Sequence, residues 1–259
     1  MPASLKLQAE HGDDLAVLFV ECQGADDDVA EAFAWRQKWM GTQAMWTTER
    51  PFAVEGNGLP KFALLDVEGN VLLSGNPLAM KKQIEEAIAA EIKKAKSPPS
   101  GTPAALAKAW ATFVKGDVAG ALAACDKVGG GELGDAARTL RKEMVTRTEA
   151  RLARAQWLGD NGHASEALAL LEGLARDVKG AFELEPRVGN ELAALRAPER
   201  AAELEASRAL AALQQKMIKD KPFEESNVKA LAKLAEKHAG TKAGERAARL
   251  ARLARMEGK

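Results

Sequence analysis

The sequence is poor in aromatic residues and in cysteine. It has no tyrosine among its 259 residues and only two cysteines, Cys22 and Cys125. The cysteines are far apart, and neither has a second cysteine three residues away. This spacing excludes a CxxC redox pair and a zinc site built from the cysteines of this chain alone. The three histidines are scattered without metal-ligand spacing, so we predict no metal site and no cofactor.

Long apolar runs and an excess of either charge are also absent. No apolar run approaches the ~20 residues that a membrane-spanning helix needs, so no membrane insertion is predicted. Because 37 lysines and arginines balance 37 acidic residues, no overall field attracts nucleic acid, and we predict no nucleic-acid partner. The first four residues do not begin a signal segment, which predicts a cytoplasmic protein. An exported or periplasmic location is the alternative if a longer N-terminus exists.

Alanine, leucine, glutamate, lysine and arginine predominate, and this composition predicts a mostly helical chain. One segment, residues 96–103, interrupts every helical pattern because it contains Pro98, Pro99 and Pro103. It is the clearest linker in the sequence. We therefore predict a first domain at residues 1–95 and a second at residues 104–259.

The first domain alternates between helix and strand patterns. A nearly continuous apolar run at residues 15–21 is typical of a strand that is covered on both faces. The three aspartates after it favour the start of a helix that continues to about Met40. Residues 44–52 are predicted to be irregular.

Residues 58–75 predict two short apolar strands joined by a tight turn. The turn carries Gly69 next to Asn70, a pair of residues that tolerates positive φ. Pro60 stands just before the first strand, where its missing N–H costs the sheet little, and it is a candidate for a cis peptide bond. A further helix is predicted to begin at Pro77.

The order helix, strand, helix, proline-led hairpin and helix resembles the second half of a thioredoxin-like domain, of the kind found in thiol–disulfide oxidoreductases and peroxiredoxin relatives. The residues that carry the resemblance are Gly58, Leu59, Pro60, Lys61 and Phe62, followed by Leu64, Leu65, Asp66, Gly69, Val71 and Gly75. The resemblance implies an α/β fold for residues 1–95 and a cis Pro60 beside a redox site. It also implies thiol–disulfide or peroxide chemistry.

The sequence departs from that family at its beginning. Family members have a central strand that leads into a CxxC motif, and this chain begins beyond that point. Three explanations are open: the sheet closes with residues 15–21 antiparallel to residues 62–66, another chain supplies a strand, or the sequence is an N-terminally shortened form of a longer protein. We expect that the sequence is a shortened form of a longer protein. We also expect that this chain closes its sheet in the absence of the central strand. The predicted α/β domain thus lacks its first strand.

Residues 104–259 are predicted to be entirely helical, and they contain a repeat. Trp110 is followed by Gly116 and then an Ala-Leu pair, and Trp157 is followed in the same way by Gly162 and an Ala-Leu pair. A glycine turn followed by a small residue predicts a helical hairpin, and a further hairpin is predicted around Gly240. The pattern loosely resembles the tetratricopeptide repeat, so we expect an all-α, tetratricopeptide-like domain built from helical hairpins.

Three groups of residues are candidates for a functional site. Cys22 follows the first predicted strand at the edge where ligands gather in α/β sheets, but a small buried thiol is the favoured interpretation. The segment around Pro60 predicts a groove for an extended peptide. Three tryptophans crowd into a dozen residues, which favours a packing cluster over an aromatic binding surface. The groove residues are Leu59, Pro60 and Lys61, and the tryptophans are Trp35, Trp39 and Trp46.

Two hypotheses about function follow. The first is a non-catalytic protein that binds a protein or an extended peptide, through strand addition beside Pro60 or through a concave face of the helical region. The second, implied by the family resemblance, is a thiol–disulfide oxidoreductase or peroxiredoxin-related protein whose catalytic N-terminal segment is missing from this chain. We favour the first for the chain as it stands, because the cysteine pair of the second is absent.

Overall fold

A computed structural model describes residues 2–40, 44–48, 52 and 61–256. Within these residues the chain forms eleven α-helices and four short strands, so the predicted predominance of helix is confirmed. The strands form two separate two-stranded sheets. In chain order the elements up to the proline-rich segment are α1 (Pro2–His11), β1 (Val17–Val20), α2 (Asp27–Arg36), β2 (Ala44–Thr47), β3 (Phe62–Leu65), β4 (Val71–Gly75) and α3 (Lys81–Lys96).

Strand β1 pairs in parallel with β2, with Val17 opposite Ala44 and Val20 opposite Thr47. The expectation that residues 15–21 would pair antiparallel with residues 62–66 is therefore wrong, and so is the irregular structure predicted for Ala44–Thr47. The physical reason is the helix between the two strands. Parallel strands need a long crossover connection, and α2 provides one.

Strands β3 and β4 form the predicted antiparallel hairpin. The Asp66 carboxylate accepts the backbone N–H groups of Glu68 (3.0 Å) and Asn70 (2.8 Å), and Gly69 takes a φ of +89° in the turn. Hydrogen bonds from the side chain and backbone of Asn70 lower the pKa of Asp66 below its ordinary value. The two sheets remain separate among the described residues, so a thioredoxin-like fold for this region stays a prediction.

Helices paired as hairpins make up most of the described residues after the proline-rich segment. The turns at Gly116, Gly162 and Gly240 have φ values of +91°, +79° and +82°, and the left-handed backbone they require explains the glycines that mark the repeat. The helices are α4 (Ala107–Val114), α5 (Val118–Asp126), α6 (Gly131–Asp160), α7 (Ala164–Asp177), α8 (Glu185–Arg196), α9 (Ala201–Lys219), α10 (Glu225–Lys237) and α11 (Lys242–Arg255). In the part of the chain that the structure describes, no helix combines the length and the apolar character that crossing a membrane requires.

Buried apolar side chains form two main clusters. The first core extends from Leu106 to Leu204 and includes α4 to α8. The second core joins α9, α10 and α11, and it also contains Ala32 and Trp35 from α2. A helix from the beginning of the chain thus shares a core with the last two helices.

Polar contacts reinforce the position of α2 against α11. The Arg249 guanidinium pairs with the carboxylates of Asp28 (2.9 Å) and Glu31 (2.8 Å), and Arg252 also pairs with Asp28. The Arg36 guanidinium donates to the carbonyl of Met256. These pairs are partly exposed, so each contributes little by itself, but together they fix how α2 lies on the second core.

The proline-rich segment lies beside the first helical hairpin. The indole Nε1 of Trp110 donates to the carbonyl of Lys96 at 3.0 Å, and Arg147 donates to the carbonyl of Ala95 at 3.2 Å. These bonds satisfy carbonyl groups at the end of α3 that no longer have a partner within the helix. The two predicted domains are thus in contact at this point, and their division at residues 96–103 stays a prediction.

Candidate binding edge of strand β1

Strand β1 is held at its start and at its end. The Gln8 side chain of α1, which is 2% exposed, accepts the N–H of Val17 through Oε1 at 2.9 Å. After the strand, the N–H of Glu21 donates to the carbonyl of Thr47 at 3.1 Å. Backbone N–H and C=O groups alternate in direction along a strand. Those of Phe19 and Glu21 therefore point toward β2, and those of Leu18 and Val20 point toward the opposite edge. We call this opposite edge the β1 edge.

The β1 edge has no described partner strand. Outside the β1–β2 ladder, no backbone hydrogen bond to Leu18 or Val20 occurs between the residues that the structure describes. An edge whose N–H and C=O groups have no partner within the described ranges is a template for pairing with another extended segment.

The side chains of the same two residues are apolar and exposed. Leu18 is 45% exposed and Val20 is 36% exposed, whereas Phe19 between them is 3% exposed. Alternation along the strand places Leu18 and Val20 on one face and Phe19 on the other. One face of β1 is thus covered by the protein, and the other presents apolar side chains to solvent.

The predicted aromatic cluster is divided between two places. The ring of Trp39 stacks on that of Phe19, with 6.3 Å between centroids, and meets Phe33 edge-on at 5.2 Å. Trp35 instead lies in the second core. The backbone of Trp46 lies opposite Phe19 in the β1–β2 register, and its side chain lies outside what the structure describes. Trp39 therefore supports the covered face of β1, while Trp35 attaches α2 to α11.

Cys22 is half-buried directly after β1 and is not in a disulfide. The carboxylate of the preceding residue, Glu21, accepts the N–H groups of the next three residues, Gln23, Gly24 and Ala25. Backbone N–H groups are one means of stabilising a thiolate, and here Glu21 already occupies those that follow the cysteine. Glu21 thus fixes the backbone of the loop that follows Cys22.

Of the predicted groove residues, Leu59 and Pro60 lie outside the described residues, and with them the predicted cis bond. Lys61 is half-buried immediately before β3. The predicted groove beside Pro60 therefore stays a prediction, and the β1 edge is the part of this region whose geometry is described.

Sequence analysis missed a polar cluster between the two cores. His163 Nδ1 lies 2.9 Å from a Glu166 carboxylate oxygen and 3.1 Å from the guanidinium of Arg246, and the Trp157 ring stacks on the imidazole. Burial lowers the pKa of Arg246, and the nearby Glu166 opposes that effect. His163 and Glu166 are three residues apart in a sequence that predicts helix, but Arg246 is too distant in sequence for the spacing to show its contact.

Metal binding finds no support in the described ranges, where no three histidine, cysteine or acidic side chains converge as a site for an ion. A scan against protein-family models, a search of curated proteins and a search of solved structures all find no match for the chain.

The two thiols provide a test of this geometry. Cys125 is 4% exposed, and burial, followed by the charge of Asp126, raises the pKa of its thiol. Because the thiolate is the reactive form, we expect iodoacetamide to modify Cys125 in the native protein at least about tenfold more slowly than Cys22. Mass spectrometry of the digested protein at several times of reaction measures both rates.

Unfolding in urea is the control for that experiment, since it should make the two thiols react at similar rates. Equal rates in the native protein would contradict the burial of Cys125 in the first core.

Proposed function

We propose that the chain is a non-catalytic protein-binding protein, thioredoxin-like in its first part and tetratricopeptide-like in its second, that takes an extended polypeptide segment along the β1 edge. The observation that carries the proposal is the β1 edge itself, where backbone groups with no partner among the described residues coincide with the exposed apolar side chains of Leu18 and Val20. Affinity would come from main-chain hydrogen bonds, as in other cases of strand addition.

The exposed face of β1 defines the kind of segment that fits. A strand added to the β1 edge extends the β1–β2 sheet to three strands and places alternate side chains beside Leu18 and Val20. Apolar or β-branched residues at every second position of the partner would cover these two side chains. The proposed partner is therefore an extended segment with alternating apolar residues.

The arrangement around Cys22 supports a non-catalytic role. Glu21 occupies the N–H groups after Cys22, and the other thiol of the chain, Cys125, lies in the first core. A Cys22→Ala variant should consequently bind the partner segment as well as the original chain does.

The test uses a fluorescein-labelled peptide of about nine residues in which valine and threonine alternate. Fluorescence anisotropy measures its dissociation constant for the full chain and for a Val20→Pro variant. Proline removes the outward-facing N–H of residue 20 while remaining acceptable on an edge strand. We expect the dissociation constant to rise at least about tenfold because a main-chain hydrogen bond is lost and its partner carbonyl is left unpaired.

A Val20→Thr variant is the matched control, because it keeps the β-branched shape and the backbone N–H. It should bind the peptide nearly as well as the original chain. The same peptide methylated at every second backbone nitrogen, on the edge that faces the protein, should not bind. Unchanged binding by the folded Val20→Pro variant would overturn the proposal, and circular dichroism checks that the variant is folded.

A further inference from the structure

The last helical hairpin has a groove on its outer face that is independent of the β1 edge. The groove lies between α10 and α11 and has a volume of about 480 Å³. Four alanines line it, two from each helix, together with Met256 and two arginines from the end of α11. We call it the α10–α11 groove, and its lining residues are Ala232, Ala235, Ala248, Ala251, Arg252, Arg255 and Met256.

The charge of the last helical hairpin itself differs from that of the chain as a whole. The chain has a formal net charge of zero, but residues 225–255 contain eight lysines and arginines and only three glutamates. The two charged residues that line the groove, Arg252 and Arg255, are both basic. The groove thus combines an apolar floor with a basic end.

The two arginines differ in their partners. Arg252 pairs with Asp28 of α2 at 2.9 Å. Arg255 is exposed and forms no ion pair with any residue that the structure describes. Among the described residues, part of the positive charge is therefore not neutralised, and it can attract an acidic ligand.

The walls of the groove limit the secondary structure of that ligand. Both walls are α-helices, whose backbone N–H and C=O groups are already paired within each helix. An extended segment lying in the groove would find no main-chain partners, whereas a helix satisfies its own backbone. A floor of alanines also allows another helix to approach closely, because interaxial distance depends on the side chains at the contact.

We propose that the α10–α11 groove binds an acidic amphipathic helix of a partner protein. Small apolar residues of that helix lie on the four alanines, and its acidic residues lie beside Arg255 and Arg252. Helix-in-groove binding of this kind buries apolar surface, while the complementary charges fix the orientation. A nucleic acid fits less well, since the alanine floor offers no contact to phosphates.

The test is binding of a fluorescein-labelled amphipathic peptide of about 18 residues, with alanine and leucine on one face and glutamate on the other. Fluorescence anisotropy compares the full chain with two variants. Ala248→Glu places a carboxylate in the groove at an exposed position of a helix, where glutamate is well tolerated. We expect it to raise the dissociation constant at least about tenfold, and Arg255→Glu to raise it about threefold or more.

An Arg154→Glu variant is the matched control. Arg154 is exposed on α6, outside the groove, so the same change of charge there should leave the dissociation constant within about twofold of the original. The matched peptide with lysine in place of glutamate should not bind. Absence of binding of the acidic peptide, or equal weakening by all three substitutions, would overturn the proposal.

Binding of a DNA duplex that carries the same fluorophore tests the remaining alternative, a nucleic-acid partner. Binding of the duplex with an affinity equal to that of the acidic peptide would show a general basic surface, and it would overturn the assignment to an acidic helix. The Val20→Pro variant, whose substitution lies in β1, should bind the acidic peptide as the original chain does. Failure of the β1 proposal and failure of this one are thus distinguishable.

Discussion

A Trp35→Ala variant should lose about 3–5 kcal/mol of unfolding free energy, as is usual for truncation of a buried tryptophan. Trp35 is 4% exposed and lies in the second core with residues of α9, α10 and α11. Its removal leaves a cavity between α2 and α11 that alanine does not fill. Equilibrium unfolding in urea, followed by circular dichroism, measures the loss.

The same variant tests whether the beginning and the end of the chain form one core. Hydrogen exchange should show faster exchange in α11 than in α4 and α5, because α11 packs against α2 in the second core, whereas α4 and α5 belong to the first core. Trp157→Ala is the control, since Trp157 is 50% exposed and its truncation should cost much less. Equal costs for the two substitutions would contradict the docking of α2.

A Trp110→Ala variant is expected to have a similarly large effect, about 3–5 kcal/mol, in the first core. Trp110 is 1% exposed, its ring meets Phe113 at 5.3 Å between centroids, and the Arg147 guanidinium lies 4.9 Å over it. Its Nε1 also donates to the carbonyl of Lys96. Unfolding in urea measures the loss of stability.

A Trp110→Phe variant separates the packing of the ring from the hydrogen bond. It keeps an aromatic ring beneath Arg147 but removes the Nε1 donor, so the Lys96 carbonyl loses its indole partner. We expect a cost of about 1–3 kcal/mol, clearly less than that of alanine. If phenylalanine costs as much as alanine, the hydrogen bond to the end of α3 accounts for most of the effect, and the packing argument is wrong.

Local sequence patterns predicted the helices of residues 104–259 well where helix propensity and the turn glycines indicate the same helix ends. The glycine turn at Gly162 correctly predicted a helix on each side of it, and these are α6, Gly131–Asp160, and α7, Ala164–Asp177. Both end next to a turn glycine or at a change of pattern that is visible in the sequence. Helix α8, Glu185–Arg196, was not predicted, although Pro186 in its first turn is a signal for its start.

Boundaries failed where a residue other than glycine ends a helix. Helix α2 was expected to continue to about Met40, but it ends at Arg36. Lys38 adopts a φ of +57°, and the N–H of Trp39 donates to the carbonyl of Ala34. A lysine in the left-handed region gives no sequence signal, because few non-glycine residues adopt it.

The candidate site was predicted only in part. The apolar run at residues 15–21 predicted strand β1, and it also predicted that Cys22 lies just after the strand. The run did not predict which edge of β1 has no partner strand among the described residues, because that depends on where β2 lies. The α10–α11 groove could not be predicted either, since the spacing of alanines along two helices does not show which faces of those helices pack together.

The sequence by itself determined the elements that depend on neighbouring residues: the helical hairpins with their turn glycines, the β3–β4 hairpin with Asp66 and Gly69, and the lack of a CxxC pair. Only the tertiary structure decided the parallel β1–β2 pairing, the docking of α2 on α11 and the contact of His163 with Arg246. The reason is the range of the interactions. Hydrogen bonds within turns and helices join residues a few positions apart, whereas burial of Trp35 joins α2 to residues about 200 positions away.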